Sequence, residues 1–138
     1  MARRNDHTRE ELKDLIIEES WRIIEKHGFE GLTARRIAKN IGYAPGTIYN
    51  MFISMDDLYL QLNAKTLDLL LATLSDQKCN DPKKPPIKNM KAMAQNYMEF
   101  AKENRPYWLM LFNLKVTENR TDASWYHEKV GQLFTPLE

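Results

Sequence analysis

Apolar residues return at spacings of three and four along most of the chain, the period of amphipathic helices. Leu12, Ile16, Ile23 and Ile24 share one helical face, opened by Thr8 and Glu11, which are spaced as a capping box, and closed near Lys26 by Gly28. Thr33 is placed to cap a second, short helix with Ile37, Ala38 and Ile41 on its inner side, and Gly42 follows where the chain must leave through a left-handed residue. Pro45 then suits the first turn of a third helix, whose buried side is read as Ile48, Tyr49 and Phe52. Ser54 and Asp57 open a fourth helix that reaches about Asp76. Its apolar residues change face on the way, from Leu58 and Leu62 to a broader stripe of Leu67, Leu70, Leu71 and Leu74.

A proline-rich stretch, Cys79 to Pro86, interrupts the pattern and reads as a surface loop. Helical spacing resumes from Ile87 to Glu103, and Pro106 ends that helix and begins another that extends to about Lys115. A last helix is expected from near Asp122, carrying Trp125, Tyr126, Val130, Leu133 and Phe134. The fold class implied is all-α, with a three-helix helix-turn-helix domain over residues 1–53 and a helical domain over 54–138.

Composition narrows the function classes. With 43% hydrophobic and 28% charged residues, the 138-residue chain can build a real core, and its formal net charge of +1 does not announce a nucleic-acid binder. The location of charge matters more. Arg35, Arg36 and Lys39 lie in a stretch from Gly31 to Met55 that has no acidic residue. Two of these cations occupy the first turn of the second helix, where the helix dipole disfavours them, so an external anion such as phosphate is the natural compensation. In helix-turn-helix proteins the residues near the start of the second helix of the motif face base edges and phosphates. Here those are Tyr43, Ala44, Pro45, Gly46, Thr47 and Asn50.

Other chemistry is poorly represented. His7, His27 and His127 are too scattered for a metal site, the lone Cys79 has no catalytic partner, and no nucleophile, acid and base pair or glycine-rich phosphate loop is found, so neither an enzyme nor a cofactor is expected. The N-terminus lacks the apolar core of a signal peptide, and no run reaches the roughly 18 apolar residues of a membrane helix, which makes a cytoplasmic location without membrane contact the expectation. Arg3 and Arg4 read either as a flexible DNA-contacting arm or as a solvated tail.

The segment Thr33 to Leu58, TARRIAKNIGYAPGTIYNMFISMDDL, resembles the DNA-binding signature of the TetR family of transcriptional regulators. The resemblance implies that Thr33 caps its helix near a phosphate, that Thr47 and Tyr49 contact the DNA backbone, and that Tyr43, Gly46 and Asn50 approach the groove. It also implies a repressor that leaves its operator when a small effector binds, and a homodimer. Three positions depart from the usual pattern: Ala44 stands where serine is common, Met51 where histidine or tyrosine is, and Met55 where a phosphate-binding lysine is. Each removes a polar contact, leaving backbone affinity either lower or supplied by residues such as Arg3, Arg4 and Lys39.

In such regulators the second domain commonly binds the effector. Leu67, Met93, Tyr97, Phe100, Trp108, Met110 and Phe112 are the candidates to line an apolar pocket for an apolar or aromatic molecule, against the simpler reading of plain core packing. The sequence stops at FTPLE, where family members continue into the helices that pair in the dimer, so the chain is expected to be truncated. The competing reading is a helical protein-interaction module that has lost DNA affinity, suggested by Met55 and the low net charge.

Overall fold

A computed structural model describes residues 7–113 and 124–132, and among them the regular structure is entirely helical. Arg3, Arg4, Lys115, Asp122, Leu133 and Phe134 lie outside the described residues. The elements are α1 (Arg9–His27), a 3-10 turn (Phe29–Gly31), α2 (Ala34–Ile41), α3 (Pro45–Met51), α4 (Met55–Leu74), α5 (Pro86–Glu103), α6 (Arg105–Leu111) and α7 (Ser124–Gln132).

The helix ends follow local chemistry. Thr8 Oγ1 accepts the Glu11 amide at 3.2 Å while the Glu11 carboxylate accepts the Thr8 amide at 2.8 Å, a complete capping box. Gly28, with φ +73°, closes α1, and Gly42, with φ +78°, closes α2; among the described residues these are the two backbone positions whose positive φ favours glycine. The amides of Gly42 and Tyr43 both turn back to the Ala38 carbonyl, which ends α2 and sets the entry to α3. At α4 the Asp57 amide donates to Ser54 Oγ at 3.2 Å, and the Asp57 carboxylate accepts the Ile53 amide at 3.2 Å.

The chain divides into two compact units, Met1–Leu62 and Asn63–Glu138, with the division inside α4. The hydrophobic pattern suggested residue 53 as the last of the first domain. The difference arises because the first two turns of α4 bury Leu58, Leu60 and Leu62, and the Tyr59 hydroxyl donates to the Leu32 carbonyl at 3.1 Å. The core of the first unit comprises Ile16, Ile17, Ile23, Ile24, Leu32, Ile37, Ala38, Ile48 and Phe52 together with those leucines. Ala38 is fully buried on α2, where a small side chain lets helices approach closely.

The second unit buries Leu67 and Leu70 of α4, Phe100 of α5, Met110 of α6 and Tyr126 of α7. Lys129 Nζ pairs with the Asp68 carboxylate at 2.6 Å, tying α7 to α4. Cys79 is buried rather than on the surface of its loop: Asn96 Nδ2 donates to its Sγ at 3.0 Å and to the Thr73 carbonyl at 3.3 Å. α6 is shorter than expected, because the Phe112 and Asn113 amides bond back three residues to Leu109 and Met110 and tighten the last turn.

Candidate nucleic-acid interface

The interface candidates are built on α2, α3 and the turn between them, which pack on each other and on α1. Burial of Ile37 and Ala38 on α2 and of Ile48 on α3 turns the polar positions outward. Thr33, Arg35, Arg36, Lys39, Ala44, Pro45, Gly46, Tyr49 and Asn50 are exposed, and Tyr43 and Thr47 are half-buried. Tyr49 is 56% exposed, so the expectation that it lies on the buried side of its helix is corrected: Ile48 and Phe52 fill that role and the tyrosine ring turns to solvent. A side chain added at Gly46 would meet nothing within 4 Å, leaving the backbone of α3 open to close approach.

Thr33 Oγ1 accepts the Arg36 amide at 3.1 Å, which caps α2. The Arg36 guanidinium folds back to donate to the Gly31 carbonyl at 3.0 Å. Gly31 allows this approach, since a Cβ there would stand 2.6 Å from the His27 Cβ and 2.9 Å from Arg36 Nη1. In the last turn of α2, Asn40 Nδ2 donates to Glu19 of α1 at 2.9 Å. Glu19 also pairs with Arg22 at 3.2 Å.

Three residues of α1 and its approach were not anticipated as part of this region. His7 Nδ1 lies 2.8 Å from the Tyr43 hydroxyl, Arg9 Nη2 donates to the Asn50 carbonyl at 3.3 Å, and Lys13 Nζ stands 5.9 Å from the centre of the Phe52 ring. Their partners are about forty positions away in sequence, so no local spacing signalled them.

The Tyr59 and Tyr126 hydroxyls and the Cys79 thiol have displaced titrations. Burial, and then the charge of Asp56, push Tyr59 above its ordinary 10.0, while burial pushes Tyr126 up against a smaller opposing effect of Asn63. Burial raises the Cys79 thiol, Asp76 adds to the rise and the Asn96 amide opposes it, which favours the unreactive thiol form.

The pocket candidates of the second unit are dispersed. Leu67, Phe100 and Met110 are buried, Met93, Tyr97 and Trp108 are half-buried, and Phe112 is 59% exposed against the expectation that it lines an interior cavity. Met93 and Tyr97 share an apolar groove of about 340 Å³ with Leu74, Met90, Ala94 and Met98. Phe100 borders a polar groove with Thr73, Asp76 and Asn96, and Trp108 borders a third with Ala101 and Arg105. Trp108 Nε1 donates to the Tyr97 hydroxyl at 3.0 Å, and its ring lies 4.9 Å from that of Phe112.

A short capped helix, a left-handed glycine turn and a second short helix with an open polar face define a helix-turn-helix protein. Residues 16–62 match the bacterial regulatory proteins of the tetR family and form an N-terminal domain of that family. An uncharacterized HTH-type transcriptional regulator from Haemophilus influenzae is 30% identical over 109 residues, which is 79% of this chain and 56% of that protein. The chain thus spans little more than half the length of that relative. A solved protein of unknown function from a Rhodococcus species superposes with a TM-score of 0.73 at 20% identity, covering 96% of this chain and 66% of that one. The TetR family transcriptional regulator PfmR from Thermus thermophilus gives 0.60 at 19% identity, over 88% of this chain and 68% of its own. These two structures share the fold.

Proposed function

We propose that the protein is a sequence-specific DNA-binding transcriptional regulator, acting by binding rather than catalysis. The observation that carries this reading is the exposure of Arg35, Arg36, Lys39 and Asn50 on a helix-turn-helix segment that contains no acidic residue and whose α3 backbone is open at Gly46. In this reading Arg35, Arg36 and Lys39 neutralise phosphates, Thr33, Thr47 and Tyr49 contact the backbone, and Tyr43, Ala44, Pro45, Gly46 and Asn50 lie toward the groove. Arg36→Ala weakens binding to all duplexes alike, whereas Asn50→Ala alters base preference. Titration of both variants against the selected operator and random duplex tests this division of roles, and it fails if neither quantity changes.

The regulator works as a homodimer on a two-fold operator and acts as a repressor released by an apolar or aromatic effector. The support for that effector class is the apolar groove along α5. The second reading, a helical module that binds only protein, is favoured by Met55 and by the low net charge, and is separated from the first by the salt dependence of DNA binding.

A further inference from the structure

We propose that the segment His7–Arg9 is a positioning strap for α3, holding the DNA-reading helix from both ends without itself touching DNA; this rests on the regulator reading. α3 has only seven residues, fewer than a helix needs to persist by its own backbone bonds. Its N-cap, Ala44, offers no side-chain acceptor to the first amides. At its other end the Phe52 amide takes the Ile48 carbonyl, and the Asn50 carbonyl is taken by Arg9 at 3.3 Å. A guanidinium at that end also meets the negative pole of the helix. The entry to α3 is held at the Tyr43 hydroxyl, 2.8 Å from His7 Nδ1, and either imidazole tautomer completes that bond because the hydroxyl both donates and accepts.

One turn further along α1, Lys13 lies over the ring of Phe52, the C-cap of α3. The approach to α1 and its first turns therefore grip Tyr43, two residues ahead of the recognition helix, a carbonyl in its last turn and the ring that follows it. Asn50 is the point of consequence. Its side chain is a candidate for base contact, while its carbonyl is the atom Arg9 holds. Arg9 and His7 act through Asn50 and Tyr43 and are positioning residues.

The test uses the full chain as wild type, Arg9→Ala, His7→Ala and His7→Gln. Amide hydrogen exchange of residues 46–52 is measured on the free protein, and binding to a selected operator and to random duplex is measured across a salt series. The strap predicts that Arg9→Ala and His7→Ala each speed exchange in α3 by about ten-fold and lower the operator-to-random affinity ratio by about as much. The slope of log affinity against log salt is unchanged, and His7→Gln, which can still bond the hydroxyl, restores the wild-type values. If Arg9→Ala instead lowers that slope by about one with α3 exchange unaltered, Arg9 is a phosphate contact and the strap is overturned. Wild-type behaviour in every measurement overturns it as well. His7 precedes the Thr8 cap and lies outside the core, so its variants decide the matter even where Arg9→Ala fails to fold. If the wild type selects no DNA, the regulator reading is what fails, and exchange still decides whether the strap exists.

Discussion

Gly31 shows how one missing side chain organises a site. A methyl group there would press on the His27 Cβ at 2.6 Å and displace the Arg36 guanidinium from the Gly31 carbonyl. Gly31→Ala is expected to destabilise the first unit by about 1–3 kcal/mol, the usual cost of overpacking, as read from urea unfolding. Tyr59 gives a second prediction, in pH. Its folded pKa lies above 10.0 because burial and Asp56 disfavour the phenolate, so the folded chain holds that proton more tightly than the unfolded one. The stabilisation is complete below pH 10.0 and is lost as pH rises through the raised folded value. Tyr59→Phe, which removes the hydrogen bond to Leu32, is expected to cost about 0.5–1.5 kcal/mol at neutral pH. It should also flatten the alkaline fall in stability, measured by denaturation between neutral pH and the alkaline limb. Residues whose partners lie within a few positions were legible in the sequence: Thr33 as a cap, Gly42 as a turn and Thr8 with Glu11 as a capping box all rest on local backbone geometry. Tyr49 was misplaced because its position on α3 is compatible with either face until neighbouring helices fill one of them.

At the scale of elements, helical period carried the reading well where a helix has one dry side. α2 is such a helix, and its fully buried Ala38 marks close packing. Ala38→Leu should push α2 outward and cost about 1–3 kcal/mol, with weaker DNA binding as the second readout. α6 resisted the same reasoning. Tyr107, Trp108, Leu109, Met110, Leu111 and Phe112 suggested burial on several sides, yet of these only Met110 is fully buried and Leu109 and Phe112 are exposed. Large apolar side chains indicate a capacity for burial, and tertiary packing decides which of them use it. The loop before α5 shows the converse, since a cysteine among prolines and lysines gave no sign that Asn96 would hold it inside.

Across the whole chain, the feature hidden by composition is the separation of charge. A formal net charge of +1 is shared by 20 basic and 19 acidic residues, but the stretch from Gly31 to Met55 keeps its three cations without an acid, and the helices turn them to solvent. The two units each have a core, and the continuous helix α4 belongs to both. The first unit carries the family match over residues 16–62, which explains why its helix-turn-helix could be read from motif spacing, whereas the second offered only apolar density and no motif. The central claim is that the face of α2 and α3 meets a polyanion. The most direct test is the affinity of the full chain for its selected duplex as a function of salt. Three or more phosphate contacts predict that log affinity falls linearly against log salt with a slope of about −2.7 or steeper, and Arg36→Ala should reduce it by about one. Binding that does not respond to salt, or no binding to any duplex at low salt, would contradict the account.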